Sequence, residues 1–184
     1  MKTNVYLVRH AHSFYTPDEL ERPLSEKGFA DAKKIKGILA EEKIDLFISS
    51  PYRRAVQTIQ GAADVFGKEI LIADAFKERT LTAEPADDFD LAISKVWEDW
   101  FFSWEGGESN ITAQERGIAG LLKVLEEYEG KNIVIGTHGN IMVLIMNYFD
   151  KTFDFAFWKQ LEMPDIYKLT FEEGKFNGAA RVYK

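Results

Sequence analysis

Basic and imidazole side chains follow short apolar runs at three points of the chain. Arg9 and His10 come after the first run, Arg53 and Arg54 after the second, and His138 after a later one. A cation beside an imidazole is poorly explained by packing, but it suits an anionic substrate. Guanidinium groups match phosphate oxygens bidentately, and a neutral imidazole can act as a nucleophile. These residue types predict chemistry on a phosphoryl group.

The apolar runs are predicted to be strands of one sheet. The run over 4–8 is short and rich in β-branched and aromatic residues, which is typical of a strand buried on both faces of a parallel sheet. Similar runs cover 44–48, 69–73 and 132–136. Ligands of open α/β sheets bind at the carboxyl ends of the strands, and neighbouring strands lie only about 4.8 Å apart. The basic and imidazole residues can therefore converge on one small group.

Helices are predicted between these strands. Ser25 is the expected N-cap of the first helix. The inward face of that helix is predicted to consist of Phe29, Ala32, Ile35 and Leu39. Ser50-Pro51 predicts the start of the second helix, whose free N–H donors would lie beside the anion site. A further helix, unusually rich in aromatic residues, is expected over 87–104.

The order of these elements predicts an α/β protein. Strands alternate with helices along most of the chain, and a hairpin is expected over 166–183. Such an alternation is typical of a mostly parallel central sheet that helices cover on both faces. With 184 residues and no internal repeat, the chain suits a single domain.

The composition excludes several classes of function. A net charge of −7 argues against a nucleic-acid partner, and any anion site must be a local positive island. The absence of cysteine excludes disulfides and thiolate metal sites. The apolar runs are far too short to span a bilayer, and no charged-then-apolar signal segment precedes the first strand. We therefore expect a cytoplasmic protein with no membrane partner.

Five short motifs in order resemble those of the histidine phosphatase superfamily, the phosphoglycerate-mutase-like proteins, over nearly the whole chain. They are Leu7-Val8-Arg9-His10-Ala11, Ser49-Ser50-Pro51 with Arg54-Ala55 and Gln57-Thr58, Phe76-Lys77-Glu78-Arg79, Gly106-Gly107-Glu108-Ser109, and Thr137-His138-Gly139. The resemblance implies a three-layer α/β/α sandwich formed by one domain over 1–184. It also implies catalysis through a phosphohistidine, with no metal and no cofactor.

The resemblance assigns roles to five residues. It makes His10 the nucleophile, places Arg9, Arg54 and His138 around the phosphate, and makes Glu78 the acid that protonates the leaving alcohol. The chemistry is consistent with these roles. A nucleophilic histidine must be neutral, which its ordinary pKa near 6.5 allows at cytoplasmic pH. A bound phosphate dianion would favour the protonated carboxyl of Glu78.

Other residues near the motifs leave alternatives open. Ser13 and Arg79 are predicted to contact the substrate, although each is equally compatible with a structural role, and Glu84 and Glu108 are rivals to Glu78 as the acid. His12 could form a pair of metal ligands with His10. The converging arginines would repel a cation, so we predict no metal site.

The predicted function is the hydrolysis of a small-molecule phosphate ester. The segment 80–109 is expected to form a helical cap over the site, and its aromatic residues could line the pocket, fill the core or form a homodimer contact. A phosphoglycerate mutase is the nearest alternative, but Thr16 stands where mutases usually have asparagine. The extra arginine-bearing insertion of mutases is also absent. A binding module without turnover is the alternative from another class.

Overall fold

The computed structural model describes residues 1–183, and within them the strands form one six-stranded sheet. The strands are β1 (Lys2–Arg9), β2 (Leu46–Ser49), β3 (Ile70–Ile72), β4 (Asn132–Thr137), β5 (Asp165–Glu172) and β6 (Lys175–Arg181). Their spatial order is β3-β2-β4-β1-β5-β6. The first four strands in this order are parallel, and β5 pairs antiparallel with both β1 and β6. The predicted C-terminal hairpin is thus confirmed.

Helices pack on both faces of this sheet. They are α1 (Glu26–Ala40), α2 (Arg53–Val65), α3 (Phe89–Glu98), α4 (Asn110–Glu127), α5 (Gly139–Phe149) and α6 (Phe155–Gln160), with a short 3₁₀ helix at Asp74–Phe76. In the part of the chain that the structure describes, no helix is both long and apolar enough to cross a membrane.

Strand β1 lies at the centre of the fold because both of its faces are covered. Val5 and Leu7 point into one core with side chains of α3, α4 and α5. Tyr6 and Val8 point the other way, into a second core with α1 and α2. All four side chains are fully buried, as alternation along a strand between two helical layers requires. The predicted α/β/α sandwich with a mostly parallel sheet is confirmed.

The carboxyl ends of β1, β2 and β4 are held together at one edge of the sheet. Arg9 pairs with Thr137, and the His10 N–H donates to the Thr137 carbonyl at 3.0 Å. The Ser50 N–H donates to the Gly136 carbonyl at 2.9 Å. The ladder therefore continues one residue beyond the strands, and it fixes the main chain of the residues that follow them.

Two expectations about the helices near this edge are wrong. Helix α2 begins at Arg53 and not at Ser50-Pro51, because the Ser50 hydroxyl bonds to a histidine ring and Tyr52 is still extended. The Arg53 N–H donates to the Leu20 carbonyl, so this donor is not free for an anion. The aromatic helix spans only Phe89–Glu98, since the chain becomes extended at its C-cap.

The first helix has the predicted N-cap but a different inward face. The Ser25 side chain accepts from the Gly28 N–H, as a cap should. Phe29, however, is 46 % exposed, and Gly28, Asp31, Ile35 and Leu39 face inward instead. Glycine at position 28 lets the helix lie against the His12 carbonyl, where a Cβ atom would clash. This close approach decides the rotation of the helix.

Candidate active site

A cleft of about 400 Å³ opens at the carboxyl edge of the sheet. The side chains that line it are Arg9, His10, His12, Ser13, Tyr15, Glu19, Arg22, Arg54, Glu78, Phe89, Asn140, Trp158 and Met163, together with Gly139. Three arginines face two glutamates in this set. The cleft is therefore a local positive island in a protein of net charge −7, as the sequence predicts for an anion site.

His10 lies at the base of the cleft with one ring nitrogen already engaged. Its Nδ1 is 2.7 Å from the Ala11 carbonyl, which can only accept, so Nδ1 carries the proton and Nε2 is unprotonated. Burial, followed by the nearby Arg54 charge, lowers the pKa of His10 from 6.5 to about 3. The ring is therefore neutral at physiological pH, as a nucleophile must be.

Arg54 and Arg9 flank this ring. Arg54, only 3 % exposed, directs Nε at His10 Nε2 over 3.4 Å. Arg9 donates from Nη1 to the carbonyls of Leu161 and Glu162 at 2.9 and 3.2 Å, and its buried Nε has no hydrogen-bond partner among residues 1–183. Burial lowers the pKa of both arginines, but such groups remain cationic at neutral pH.

Gly139 makes room for Arg9. A Cβ atom at this position would lie 2.9 Å from Arg9 Nε and 3.0 Å from its Cζ. Any other residue would therefore push the guanidinium out of place. The Thr137-His138-Gly139 motif thus contributes the His138 imidazole and also a glycine that leaves space for the Arg9 guanidinium.

His138 is fully buried and lies beside His10, with ring centroids 5.1 Å apart. Its Nε2 is 2.7 Å from the Ser50 hydroxyl, whose oxygen already accepts from the Tyr52 N–H. The Ser50 hydroxyl can donate to Nε2, and in that tautomer the histidine proton is on Nδ1. Nδ1 has no partner within residues 1–183, and burial holds the pKa of His138 well below its usual range. This ring can offer a neutral donor.

Glu78 lies at the N-terminus of α5. Its Oε1 accepts from the N–H groups of Arg79 and Ile141 at 2.9 and 3.0 Å, and Oε2 accepts from the Asn140 N–H at 3.1 Å. These contacts fix the carboxyl in the cleft wall and leave Oε2 the less engaged oxygen. The N–H donors at the start of α5 consequently serve Glu78 and are not available to an anion.

The remaining predicted site residues lie at different depths. Ser13 lines the cleft next to its bridge with Leu24. Arg79 lies instead on an adjoining cavity of about 510 Å³ and is 96 % buried, with Nη1 2.7 Å from Asn110 Oδ1. Burial lowers the pKa of Arg79 to about 10. The structure thus brings Ser13 to the cleft and gives Arg79 contacts that tie α4 to the site.

The rivals considered from the sequence lie elsewhere. Glu108 pairs with Arg116 at 2.9 Å and does not line the cleft, and Glu84 lies on the adjoining cavity. His12 lines the cleft, but its Nδ1 is 2.7 Å from the Ser25 hydroxyl. Among the described residues, no group of three or more metal-ligating side chains is placed to hold an ion.

Sequence reasoning missed the contribution of the loop 14–23. Its neck is closed by a hydrogen bond from the Phe14 N–H to the Pro23 carbonyl at 2.9 Å, and it carries Tyr15, Glu19 and Arg22 into the cleft. The sequence over 16–23 is polar and contains two prolines, which predicts only a connecting loop. Because it leaves the carboxyl end of β1 directly after His10, its charged residues could have been expected at the site.

The aromatic residues of 89–104 divide among different places. Phe89 lines the cleft, whereas Trp97 is core and Trp100, Phe102 and Trp104 pack against that core. Trp158, from outside this segment, also lines the cleft, and its signal in the sequence is no more than its aromatic type. Of the alternatives left open for this segment, the structure thus places Phe89 at the cleft and Trp97 in the core, and contact with a substrate stays a prediction.

Comparison with known proteins decides the family. The family model of the histidine phosphatase superfamily, branch 1, matches residues 5–181. The chain belongs to this superfamily. It is 23 % identical over 155 residues to a protein of Hydrogenobacter thermophilus provisionally named phosphoserine phosphatase 2, covering 77 % of this chain and 76 % of that protein.

Solved structures of this superfamily have the same fold. A mycobacterial glucosyl-3-phosphoglycerate phosphatase superposes with a TM-score of 0.79 at 18 % identity, covering 98 % of this chain and 97 % of its own. A phosphoserine phosphatase from Entamoeba histolytica, solved as a mutant with phosphoserine, gives 0.77 at 19 % identity and 96 % coverage of both chains. The fold is thereby established, and membership of the family supports the predicted enzyme class, a phosphatase.

Proposed function

We propose that this histidine phosphatase is a metal-independent phosphomonoesterase that acts on a small organic phosphate through phospho-His10. The observation that carries the proposal is the state of His10. Its proton is directed to the Ala11 carbonyl, and its unprotonated Nε2 accepts from Arg54 Nε at 3.4 Å in the cleft. A neutral imidazole aimed at a cationic pocket suits nucleophilic attack on a phosphate ester.

The first step forms one bond and breaks another. His10 Nε2 attacks phosphorus while the bond from phosphorus to the ester oxygen breaks. Arg9, Arg54 and the Nδ1–H of His138 stabilise the charge on the equatorial oxygens. Glu78, as the general acid, donates a proton from Oε2 to the leaving oxygen.

The second step restores the enzyme. A water molecule attacks phosphorus, and the Glu78 carboxylate takes its proton as the bond to His10 Nε2 breaks. Inorganic phosphate then leaves, and the ring is again neutral with an unprotonated Nε2, because Nδ1 keeps its proton against the Ala11 carbonyl throughout. All proton transfers therefore use groups that lie in the cleft, and no cofactor takes part.

The mouth of the cleft favours a substrate with an apolar part. Tyr15, Phe89, Trp158 and Met163 line it outside the charged residues. Such side chains bind an apolar leaving group through burial of its surface. The substrates named for the relatives, phosphoserine and glucosyl-3-phosphoglycerate, belong in a test panel. Sequence identities of 23 % and 18 % are too low to assign either substrate to this chain.

Hydrolysis of an aryl phosphate in the presence of excess EDTA tests the proposal. We expect turnover by the wild type and a loss of at least about a thousandfold in His10→Ala, because the nucleophile is gone. His12→Ala removes an imidazole from the same cleft and serves as the matched control. Brief reaction with a ³²P-labelled substrate should leave an acid-labile label on the wild type and on His12→Ala, but none on His10→Ala.

Three results would contradict the proposal. Loss of activity with EDTA would favour a metal at His10 and His12. Turnover that needs a bisphosphate primer and releases no inorganic phosphate would favour a mutase. Labelling of His10→Ala to the wild-type level would mean that another residue carries the phosphoryl group.

A further inference from the structure

Glu19 accepts two hydrogen bonds from Arg54, the arginine that the proposed mechanism uses to bind the phosphoryl group. Arg54 donates from Nη1 to the Glu19 carbonyl at 2.8 Å and from Nη2 to the Glu19 carboxylate at 3.0 Å. Its third nitrogen, Nε, is directed at His10. Three of the five N–H groups of the guanidinium are therefore engaged, one on each nitrogen.

A phosphoryl group bound to Arg54 would lie beside the Glu19 carboxylate. Bidentate binding of a phosphate by arginine uses two parallel N–H groups, and the Glu19 carboxylate holds one of the terminal nitrogens. A carboxylate beside a phosphate dianion also repels it. Substrate and the Glu19 side chain thus compete for Arg54.

The Glu19 side chain can move away from this contact more easily than the Arg54 side chain can. Arg54 is 4 % exposed along its side chain, whereas that of Glu19 is 54 % exposed. The neck of the loop is closed by the bond between Phe14 and Pro23 and by the bridge between Ser13 and Leu24, and it can stay closed during this movement. Rotation of the Glu19 side chain into solvent is enough to free Nη2.

We infer that Glu19 is an affinity-determining residue that competes with the phosphoryl group for Arg54 and weakens the binding of substrate and product phosphate alike. This inference rests on the proposed function, because it takes the cleft to be the phosphate site. A carboxylate that is displaced in every bound state lowers affinity uniformly and leaves the chemical step unchanged. It also prevents a site with three arginines from retaining inorganic phosphate.

The same loop provides a matched control. Glu21 is 63 % exposed along its side chain, lies 4.0 Å from Arg53 and does not line the cleft. Glu21→Gln therefore removes one negative charge from the loop without releasing Arg54. Glu19→Gln removes the same charge and weakens the competing ion pair.

The experiment is the equilibrium binding of inorganic phosphate, measured by titration calorimetry at low and at high salt. We expect Glu19→Gln to bind phosphate about three- to tenfold more tightly than the wild type, and Glu21→Gln to stay within about twofold of it. The difference should shrink at high salt, because the exposed carboxylate is screened. The KM for an aryl phosphate should fall in Glu19→Gln with no rise in kcat.

Two results would overturn the inference. The first leaves the proposed function intact, and the second overturns it too. If the wild type binds phosphate and Glu19→Gln binds it no more tightly than Glu21→Gln, Glu19 only supports Arg54 and the proposed function stands. If neither the wild type nor Glu19→Gln binds phosphate, the cleft is not a phosphate site and the proposed function fails too. Thermal unfolding of each variant verifies that the proteins compared in the titrations are folded.

Discussion

The strand ends and the loop 14–23 both line one cleft, with His138 buried beside His10, but their residues are held in different ways. His10, Arg54 and His138 are at most 8 % exposed, and main-chain groups or buried side chains fix each of them. Tyr15 is 73 % exposed, and the Glu19 side chain is 54 % exposed. The first set follows strands whose ladder continues to the site. The second lies on a connection that is closed at its neck and held further along by bonds from Arg53 and Arg54 to main-chain carbonyls, which leave most of its side chains exposed.

This difference indicates a division of labour. Phosphoryl transfer requires reacting groups that are already in place, since small displacements reduce the rate steeply. Selecting and releasing a substrate requires side chains that can move. We therefore expect changes at the strand ends and at Glu78 to lower kcat, and changes at the loop and the mouth to alter binding.

Among the changes that distinguish the rigid catalytic residues from the loop and the mouth, Glu78→Gln is expected to have the largest effect on kcat. The amide cannot donate the proton that a poor leaving group needs, so kcat for an alkyl phosphate should fall about 100- to 1000-fold. An aryl phosphate with a good leaving group needs little protonation and should lose far less. Initial rates over a series of leaving groups measure this change as a steeper dependence on leaving-group pKa.

Glu108→Gln is the control for this prediction. Glu108 pairs with Arg116 outside the cleft, so its loss should leave the leaving-group dependence as in the wild type. An equal fall for alkyl and aryl phosphates in Glu78→Gln would mean that Glu78 only positions the start of α5. A steeper dependence in Glu108→Gln would assign the acid to the rival.

A smaller effect concerns pH and the rigidity of the strand ends. The pKa of His10 is about 3 in the folded protein and near 6.5 when unfolded, so between these values the unfolded chain binds more protons. This contribution to stability is complete above pH 6.5 and is lost as the pH falls. From pH 6.5 to 5 the loss from His10 alone should be about 2 kcal/mol.

Chemical denaturation at pH 7, 6 and 5 measures this loss. His10→Gln should show a flatter decline in the free energy of unfolding than the wild type, although buried His138 keeps part of the dependence. His12→Gln retains His10 and should decline as steeply as the wild type. Parallel declines for the wild type and His10→Gln would show that the ring accepts a proton without cost and is not held rigidly.

The fold could be predicted from the sequence because its signals are local. The run over 4–8 is apolar on both faces, and β1 has helical layers on both sides. The errors arose where a tertiary contact overrides a local preference. Ser50 would cap a helix in isolation, but its hydroxyl bonds to His138. Phe29 has the spacing of a core residue, but the contact between Gly28 and the main chain of His12 rotates the helix.

The strand-end part of the site could also be predicted, because parallel strands bring their ends to one edge. Arg9, His10 and Arg54 meet there as expected, although their roles stay predictions. The loop part could not be derived. Nothing in its spacing shows that Glu19 turns back to Arg54, since that contact depends on the closure between Phe14 and Pro23.

The smallest effect is expected at the mouth, for Phe89→Ala. Phe89 is 52 % exposed and lines the cleft, so truncation removes part of an apolar contact with the leaving group. The kcat/KM for a naphthyl phosphate should fall about two- to fivefold, and that for a small alkyl phosphate should hardly change. Phe101→Ala is the matched control, because Phe101 is 81 % exposed on a separate cavity beside Trp97 and Trp100. An equal fall in kcat/KM for both substrates, or the same fall in Phe101→Ala, would mean that the mouth does not select the substrate. Selection would then depend on the loop 14–23.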